Sequence, residues 1–333
     1  MTSIGDMATN LMLRTRSFEL QQTMAQLTDE LASGQVSDVH ARVGGDYAYL
    51  TDIEMRMARL DGYTVATNEA SILAAGMQTS LERMHDIALD LSSTLLTTGQ
   101  SVVGPNLIQG SSQAAADLDD MMNALNGTSG GRTLFSGTST DTQPLAASED
   151  LLAGLSAAIA GQTTTADIRA AAEAWFDDPA GFEAVVYQGG TTDTAPNQIG
   201  EFEQVNLSLR ADDQVFRDMM RETALAVLAT DPGLALDDAV QVELMQTAGQ
   251  NLIGVTDSLT ATRADLGYAQ ARIEDAQARH EFTRVSLDQA RNELLAADPF
   301  DTAVRLEAVQ IQLQTLYAVT ARNSQLTLVN FIS

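Results

Sequence analysis

The sequence predicts a mainly α-helical protein: an elongated antiparallel helical bundle or coiled coil formed by the N- and C-terminal regions, with a small α+β insert domain. Three observations indicate this architecture. A heptad pattern occupies residues 241–296, a second long helical stripe occupies residues 47–98, and residues 136–240 change to short mixed segments rich in acidic side chains. A rod built from the two ends of the chain, with one insert, explains all three.

The heptad pattern is the most regular stretch. Large side chains recur every seven residues, with one histidine among them, at Met245, Leu252, Leu259, Leu266, Ile273, His280, Leu287 and Leu294. Smaller side chains, from Ala248 to Ala290, fall between them, and no proline lies between Pro232 and Pro299. This 3-4 spacing is typical of a helix packed lengthwise on other helices. At 1.5 Å per residue the helix would be roughly 80 Å long, which favours a structural rod over a compact enzyme.

The other elements follow from apolar spacing and from the glycines and prolines that interrupt it. Further rod helices are predicted over about 4–31, 47–98, 107–125 and 301–329, with Gly34 as the C-cap of the first and a break at 99–105. Within the insert we predict short helices at 151–160, 166–176 and 216–228, and strands at 132–137, 182–187 and 204–210.

These elements divide the chain into three regions. Residues 1–40 with 298–333 form a terminal coiled-coil assembly region, and residues 41–135 with 241–297 form a helical rod domain. Residues 136–240 form an acidic outer insert domain, with 18 acidic residues against four arginines.

Composition excludes several classes of function. The chain has no cysteine and no lysine, so disulfides, thiolate chemistry, Schiff bases and a P-loop lysine are excluded. A net charge of −27 argues against nucleic acid and anionic membranes as partners. The sequence shows neither a signal peptide nor an apolar run long enough to span a membrane. This pattern predicts either a cytoplasmic protein or export without a cleaved signal.

Three patterns could carry chemistry. Gly127–Gly131 matches the G-x-S-x-G nucleophile elbow, but a helix precedes it and a strand follows, the reverse of the order that the elbow needs. His280 could be a ligand or a pH switch, although a packed polar residue that sets the register of the seam is the better interpretation. The acidic pairs at 119–120, 177–178, 212–213 and 237–238 lack the spacing of a calcium loop. We therefore predict no enzymatic activity, no catalytic or metal-binding residue and no cofactor.

The last helix has an unusual lack of charge. Arg322 is the only charged residue between Ala308 and Ser333. A solvated helix normally carries charge opposite its apolar face, so this helix is better suited to burial against other proteins, with the N-terminal helix as its mate. The predicted assembly interface comprises Ile4, Met7, Leu11, Leu20, Met24, Leu27, Leu306, Val309, Leu313, Leu316, Leu326, Leu328 and Phe331. The predicted rod seam comprises Leu252, Leu259, Leu266, Ile273, His280, Leu287 and Leu294.

Several segments resemble the bacterial flagellin family, and more closely its hook-associated members at the hook–filament junction. Leu27-Thr-Asp-Glu-Leu-Ala-Ser-Gly-Gln-Val36 and Arg263-Ala-Asp-Leu-Gly-Tyr-Ala-Gln-Ala-Arg-Ile273 are similar to segments near the two flagellin termini. Gly131-Arg-Thr-Leu-Phe-Ser-Gly137 with Pro144, the strand Val186–Gly190 and the closing 325–332 resemble the junction members.

The resemblance implies a structural subunit of the flagellum that joins hook to filament and polymerises through its terminal helices. Its implied partners are copies of itself, a neighbouring hook-associated protein, flagellin, and an export chaperone at the C-terminal helix. It implies an extracellular location, reached by type III export, and termini that become ordered on assembly. Filament flagellins share both terminal regions, so a filament subunit is the alternative. A secreted hydrolase or adhesin built on the insert is a third hypothesis, and it would need a cleft with converging polar groups.

Overall fold

The protein is mainly α-helical, as the sequence predicts, and the described residues include two short β-hairpins in the middle part of the chain. The computed structural model describes residues 4–98 and 104–332, and the side chains of 7–98 and 104–322. In chain order the helices are α1 (Ile4–Ser33), α2 (Val39–Arg42), α3 (Ala48–Thr98), α4 (Gly104–Leu125), α5 (Ser148–Ile159), α6 (Thr165–Asp177), α7 (Gln214–Leu228), α8 (Asp238–Leu295) and α9 (Pro299–Ile332). The strands are β1 (Thr128–Ser129), β2 (Arg132–Thr133), β3 (Asn197–Gln198) and β4 (Gln204–Val205).

The contacts of the chain divide it into two compact units. Unit 1 comprises Met1–Leu60 with Glu281–Ser333, and unit 2 comprises Asp61–His280. The long helices α3 and α8 contribute residues to both. The division into three regions made from the sequence stays a prediction.

In unit 1, α1 and α9 pack against each other in antiparallel directions. Gln21 Nε2 donates to Tyr317 Oη at 2.8 Å, while Gln35 pairs with Ala296. Gly34 ends α1 with a positive φ of 71°, and its amide donates to the Glu30 carbonyl, as expected of the predicted C-cap. At the start of α9, Asp298 accepts from the amides of residues 300 and 301 and so caps the helix.

In unit 2, a bundle of α3, α4 and α8 with α7 encloses the main core. The pairing of α3 with α8 is antiparallel, because Leu95 lies beside Gly249 and Asn68 is hydrogen-bonded to Gln277. The largest buried side chains of α3 and α4 belong to one stripe of each helix: Met77, Leu81, Met84, Leu91, Leu95, Leu107, Leu118 and Met121. The same core continues without a break into α5, α6 and α7.

Three predicted strands differ from the structure. Residues 182–187 are not a strand: Asp178 caps a π-helical turn at Pro179–Glu183, and Phe182 stacks on Phe176 at 5.1 Å. The predicted strand 132–137 shortens to β2, which forms an antiparallel hairpin with β1. The predicted strand 204–210 shortens to β4, although its alternation survives as burial of Val205 and Leu207. Packing on the helices, not a continuous ladder, holds these apolar side chains.

Candidate assembly interface

The inner faces of α1 and α9 bring together part of the predicted interface. Leu20, Leu27 and Leu313 are buried between the two helices. Half-buried side chains extend the same stripes at Met24, Leu306, Val309 and Leu316. These residues recur at steps of three and four along each helix, so one face of each meets the other. They hold the helix pair together within one chain.

Two other predicted residues lie elsewhere on α1. Met7 is 69% exposed and Leu11 is 68% exposed. At about 100° per residue, both lie roughly opposite the Leu20–Leu27 stripe. The side chains of Ile4, Leu326, Leu328 and Phe331 lie outside the described residues, so their part in the interface stays a prediction.

Each terminal helix has a second apolar face, and the one on α9 was not recognised from the sequence as a separate face. Phe18 is 68% exposed and lies seven residues after Leu11, on the same face of α1. On α9, exposed Val304, Ile311 and Val319 lie opposite the buried Leu313 stripe. The signal was present, since Val304, Ala308 and Ile311 are visibly apolar, but they looked like a widening of one stripe. We name Met7, Leu11, Arg14 and Phe18 the α1 outer face, and Val304, Ala308, Ile311, Thr315 and Val319 the α9 outer face.

Two threonine hydroxyls on or beside these outer faces do not resist burial. Thr15 Oγ1 donates to the Leu11 carbonyl at 3.0 Å, and Thr315 Oγ1 donates to the Ile311 carbonyl at 2.8 Å. Each hydroxyl is thus satisfied within its own helix. Burying a satisfied hydroxyl against another protein costs much less than burying an unpaired one. The outer faces are chemically suited to a protein partner.

The predicted rod seam is buried along only part of α8. Leu252, Leu259, Leu266 and Ile273 are buried in unit 2, as are Ala248, Ala269 and Ala276. Leu287 and Leu294, which belong to unit 1, are half-buried. The seam's role in the rod stays a prediction.

His280 has a defined setting at the end of unit 2. Its ring stacks on Tyr63 at 6.1 Å between centroids, and its Nδ1 is buried without a hydrogen bond. Burial lowers the pKa of His280 below its ordinary value of 6.5, and the charge of Arg279 adds to this effect. Glu203 and a hydrogen bond with the Ile199 backbone act in the opposite direction without reversing it. A neutral, stacked ring is compatible with the interpretation of His280 as a packed residue of the seam.

The sites of candidate chemistry have structural roles. Gly127–Gly131 forms the β1–β2 hairpin, whose turn uses positive φ at Gly130 and Gly131. Asp178 is a helix cap, and Asp212 pairs with Arg210 at 2.9 Å. Within the described ranges no three acidic or histidine residues are grouped as a metal site would require. No helix there is both long and apolar enough to cross a membrane.

Comparison with known proteins finds a family match for part of α8 and for α9. Residues 251–332 match the family model of the bacterial flagellin C-terminal helical region. No curated protein sequence matches the chain.

Two solved structures share its fold. A protein described as a flagellar hook-associated protein of Vibrio parahaemolyticus aligns with a TM-score of 0.50 at 12% identity, over 74% of this chain and 95% of that one. FlgL of Bacillus cereus aligns with a TM-score of 0.51 at 13% identity, over 73% of this chain and 100% of that one. The chain is therefore similar to the bacterial flagellins in its C-terminal helical region, and it shares its fold with a flagellar hook-associated protein and with FlgL.

Proposed function

We propose that this protein is a structural subunit of the bacterial flagellum that joins hook to filament by polymerising through α1 and α9. The observation that carries the proposal is the pair of outer faces, which leave large apolar side chains in solvent on helices that are already paired. Isolated exposed apolar residues are ordinary, but a contiguous face of this kind marks a protein interaction site. The flagellin match over α9 supports the same assignment.

The proposal includes the partners and the location. The partners are copies of this chain, a neighbouring hook-associated protein and flagellin, together with an export chaperone that holds α9 before assembly. The location is extracellular, at the hook–filament junction. The role is mechanical, and we propose no enzymatic activity for it.

A filament subunit is the alternative, because the matched family model describes a region of flagellin itself. What favours the junction is the fold shared with a hook-associated protein and with FlgL over nearly three quarters of the chain.

Immunogold labelling of isolated flagella separates the two. An antibody against unit 2 should label a single band where hook meets filament. Labelling along the whole filament would instead identify a filament subunit. The same preparation from cells lacking the gene gives the background, and absence of label from flagella would refute both roles.

A further inference from the structure

The outer faces of α1 and α9 point away from each other. Within one chain the two helices meet through their inner faces, around Leu20 and Leu313. Each outer face lies roughly 150–180° around its own helix from the inner one. The helix pair therefore presents one apolar face on its α1 side and a different one on its α9 side. Two different faces on opposite sides permit head-to-tail contact between copies, which closes into a ring or continues as a helix.

The spacing of the two outer faces matches in antiparallel register. Along α1 the face steps by four, three and four residues, through Met7, Leu11, Arg14 and Phe18. Along α9 it makes the same steps, through Val304, Ala308, Ile311 and Thr315. Aligned in opposite directions, Leu11 meets Ile311 and Phe18 meets Val304. Met7 then faces the short side chain of Thr315 and Arg14 faces that of Ala308, so only two of the four pairs join two large apolar side chains.

Charge fits the same register. Arg14 lies on the α1 outer face between Leu11 and Phe18, and Glu307 lies at the edge of the α9 outer face beside Ala308. Neither has an ion-pair partner among the side chains that the structure describes. By contrast, their neighbours Arg16 and Arg305 are paired within their own helices, with Glu19 and Asp301. In the proposed register Arg14 of one copy comes next to Glu307 of another.

The directions of the two helices are also consistent with this contact. In an assembly whose copies all point the same way, α1 of one copy runs antiparallel to α9 of the next, as it does to its own α9. A groove of about 320 Å³ lies between the paired helices on one flank, bordered by Arg16 and Leu20 of α1 and by Ile311, Leu316 and Val319 of α9.

We propose that the α1 outer face of one copy docks antiparallel on the α9 outer face of a second copy, with Leu11 against Ile311 and Arg14 paired with Glu307. This inference rests on the proposed function and adds to it the faces, the register and the identity of the neighbour.

Engineered disulfides test the register, because the chain has no cysteine of its own. The Leu11→Cys, Ile311→Cys double variant, in purified full-length protein at high concentration and in isolated flagella, should form a ladder of dimers, trimers and larger products on oxidation. Each single variant should form no more disulfide-linked product than the parent chain, which has no cysteine. The Leu11→Cys, Val304→Cys variant is the matched control, because Val304 lies on the same face one heptad away, roughly 10 Å along the helix. This control should form at least tenfold less disulfide-linked product than the Leu11→Cys, Ile311→Cys variant.

Several outcomes would overturn the inference. They are equal linkage in the control, products that stop at the dimer, a disulfide to a different protein, or no ladder in either preparation. If the protein is found in flagella but the ladder is missing, the register is wrong and the proposed function stands. If the protein is absent from flagella, the proposed function fails, and the purified chain alone decides whether copies dock in this way.

Charge reversal gives a second readout that needs no cysteine. Arg14→Glu and Glu307→Arg should each weaken self-association of the full chain by about fivefold, the upper range for an exposed pair. The double variant should restore it. Additive weakening in the double variant would show that the two residues do not meet. Circular dichroism melting checks that each variant folds like the parent.

Discussion

At the scale of single residues, Glu222 shows how unit 2 holds a charge inside its core. Its carboxylate is almost completely buried and accepts hydrogen bonds from both terminal nitrogens of Arg169, at 2.7 and 2.8 Å. Arg221 at 3.2 Å and Asn251 at 3.3 Å complete its surroundings. The carboxylate thus joins α6, α7 and α8. A buried charge is tolerated only when it is paired in this way.

Replacing Arg169 with leucine should therefore be costly. We expect the free energy of unfolding to fall by about 3 kcal/mol, because the buried carboxylate of Glu222 loses its bidentate partner. Arg83→Leu is the matched control, since Arg83 and Asp120 form an exposed pair whose loss should cost less than about 1 kcal/mol. Urea unfolding measures both, and equal losses would contradict this account of Glu222.

His280 should make stability depend on pH. Its pKa is lowered in the folded protein, so the unfolded chain binds the proton at a higher pH than the folded chain does. Stability conferred by His280 is therefore present at neutral pH and declines as pH falls through about 6.5, until the folded form is also protonated. We expect the thermal stability of the parent to decline relative to His280→Phe between about pH 7.5 and 5, because phenylalanine preserves the stacking on Tyr63 and does not titrate. A constant difference across that range would refute the assignment.

At the scale of elements, two glycines of α8 show where α3 packs closely against this helix and where it does not. A Cβ on Gly249 would lie 3.1 Å from Leu95 Cβ and 3.1 Å from the Ser92 carbonyl oxygen of α3. A Cβ on Gly254 would meet nothing within 4 Å. The first glycine permits close packing of α8 on α3, and the second only weakens the helix.

Alanine substitution should separate these roles. Gly254→Ala should stabilise the protein by about 0.8 kcal/mol through helix propensity. Gly249→Ala should destabilise it by about 1 kcal/mol, because overpacking against a rigid backbone exceeds the same gain. Denaturant unfolding measures the change in the free energy of unfolding for each variant. If both substitutions stabilised the protein, α3 must be able to move away from Gly249.

The elements differ in how far the sequence could predict them. The bounds of α3 and α8 were predictable to within a few residues, because their apolar spacing is sustained for 51 and 58 residues. The segment 182–187 was not, since its aromatic and β-branched side chains favour a strand, while the Asp178 cap and the stacking of Phe182 impose a helical turn. Tertiary packing overrode local propensity there.

The candidate site was predictable only in part, for a related reason. The inner faces follow from a single helical stripe, and the sequence gives their spacing directly. The outer faces can be identified only when it is known which stripe of each helix is buried. The packing of α1 on α9 shows that Leu20 is buried, whereas Leu11 and Phe18 stay exposed.

At the scale of the whole molecule, charge is divided unevenly between the two units. Unit 2 has 31 acidic residues and nine arginines, a net charge of −22, whereas unit 1 has a net charge of −5. Like charges repel when copies assemble, and the repulsion falls away with distance in salt. The proposed contact uses unit 1, which carries the smaller share of this charge, so less repulsion acts directly across it.

Removing residues 304–333 should leave a folded monomer. The main core lies in unit 2, and none of the α9 side chains that the structure describes belongs to it. We expect the shortened chain to lose the helical signal of α9 and part of that of α1, while the thermal transition of the remainder is unchanged by circular dichroism. Collapse of the remaining core would mean that α9 belongs to the fold and not to assembly.

The central claim is that the exposed outer faces serve to join this subunit to its neighbours, and incorporation into flagella measures this most directly. Cells would express Leu11→Asp, Phe18→Asp in place of the parent chain, and the amount of this protein in washed flagella and in the medium would be compared. The account predicts a variant that melts like the parent and reaches the medium but is absent from flagella. A variant incorporated at the parent level would contradict it.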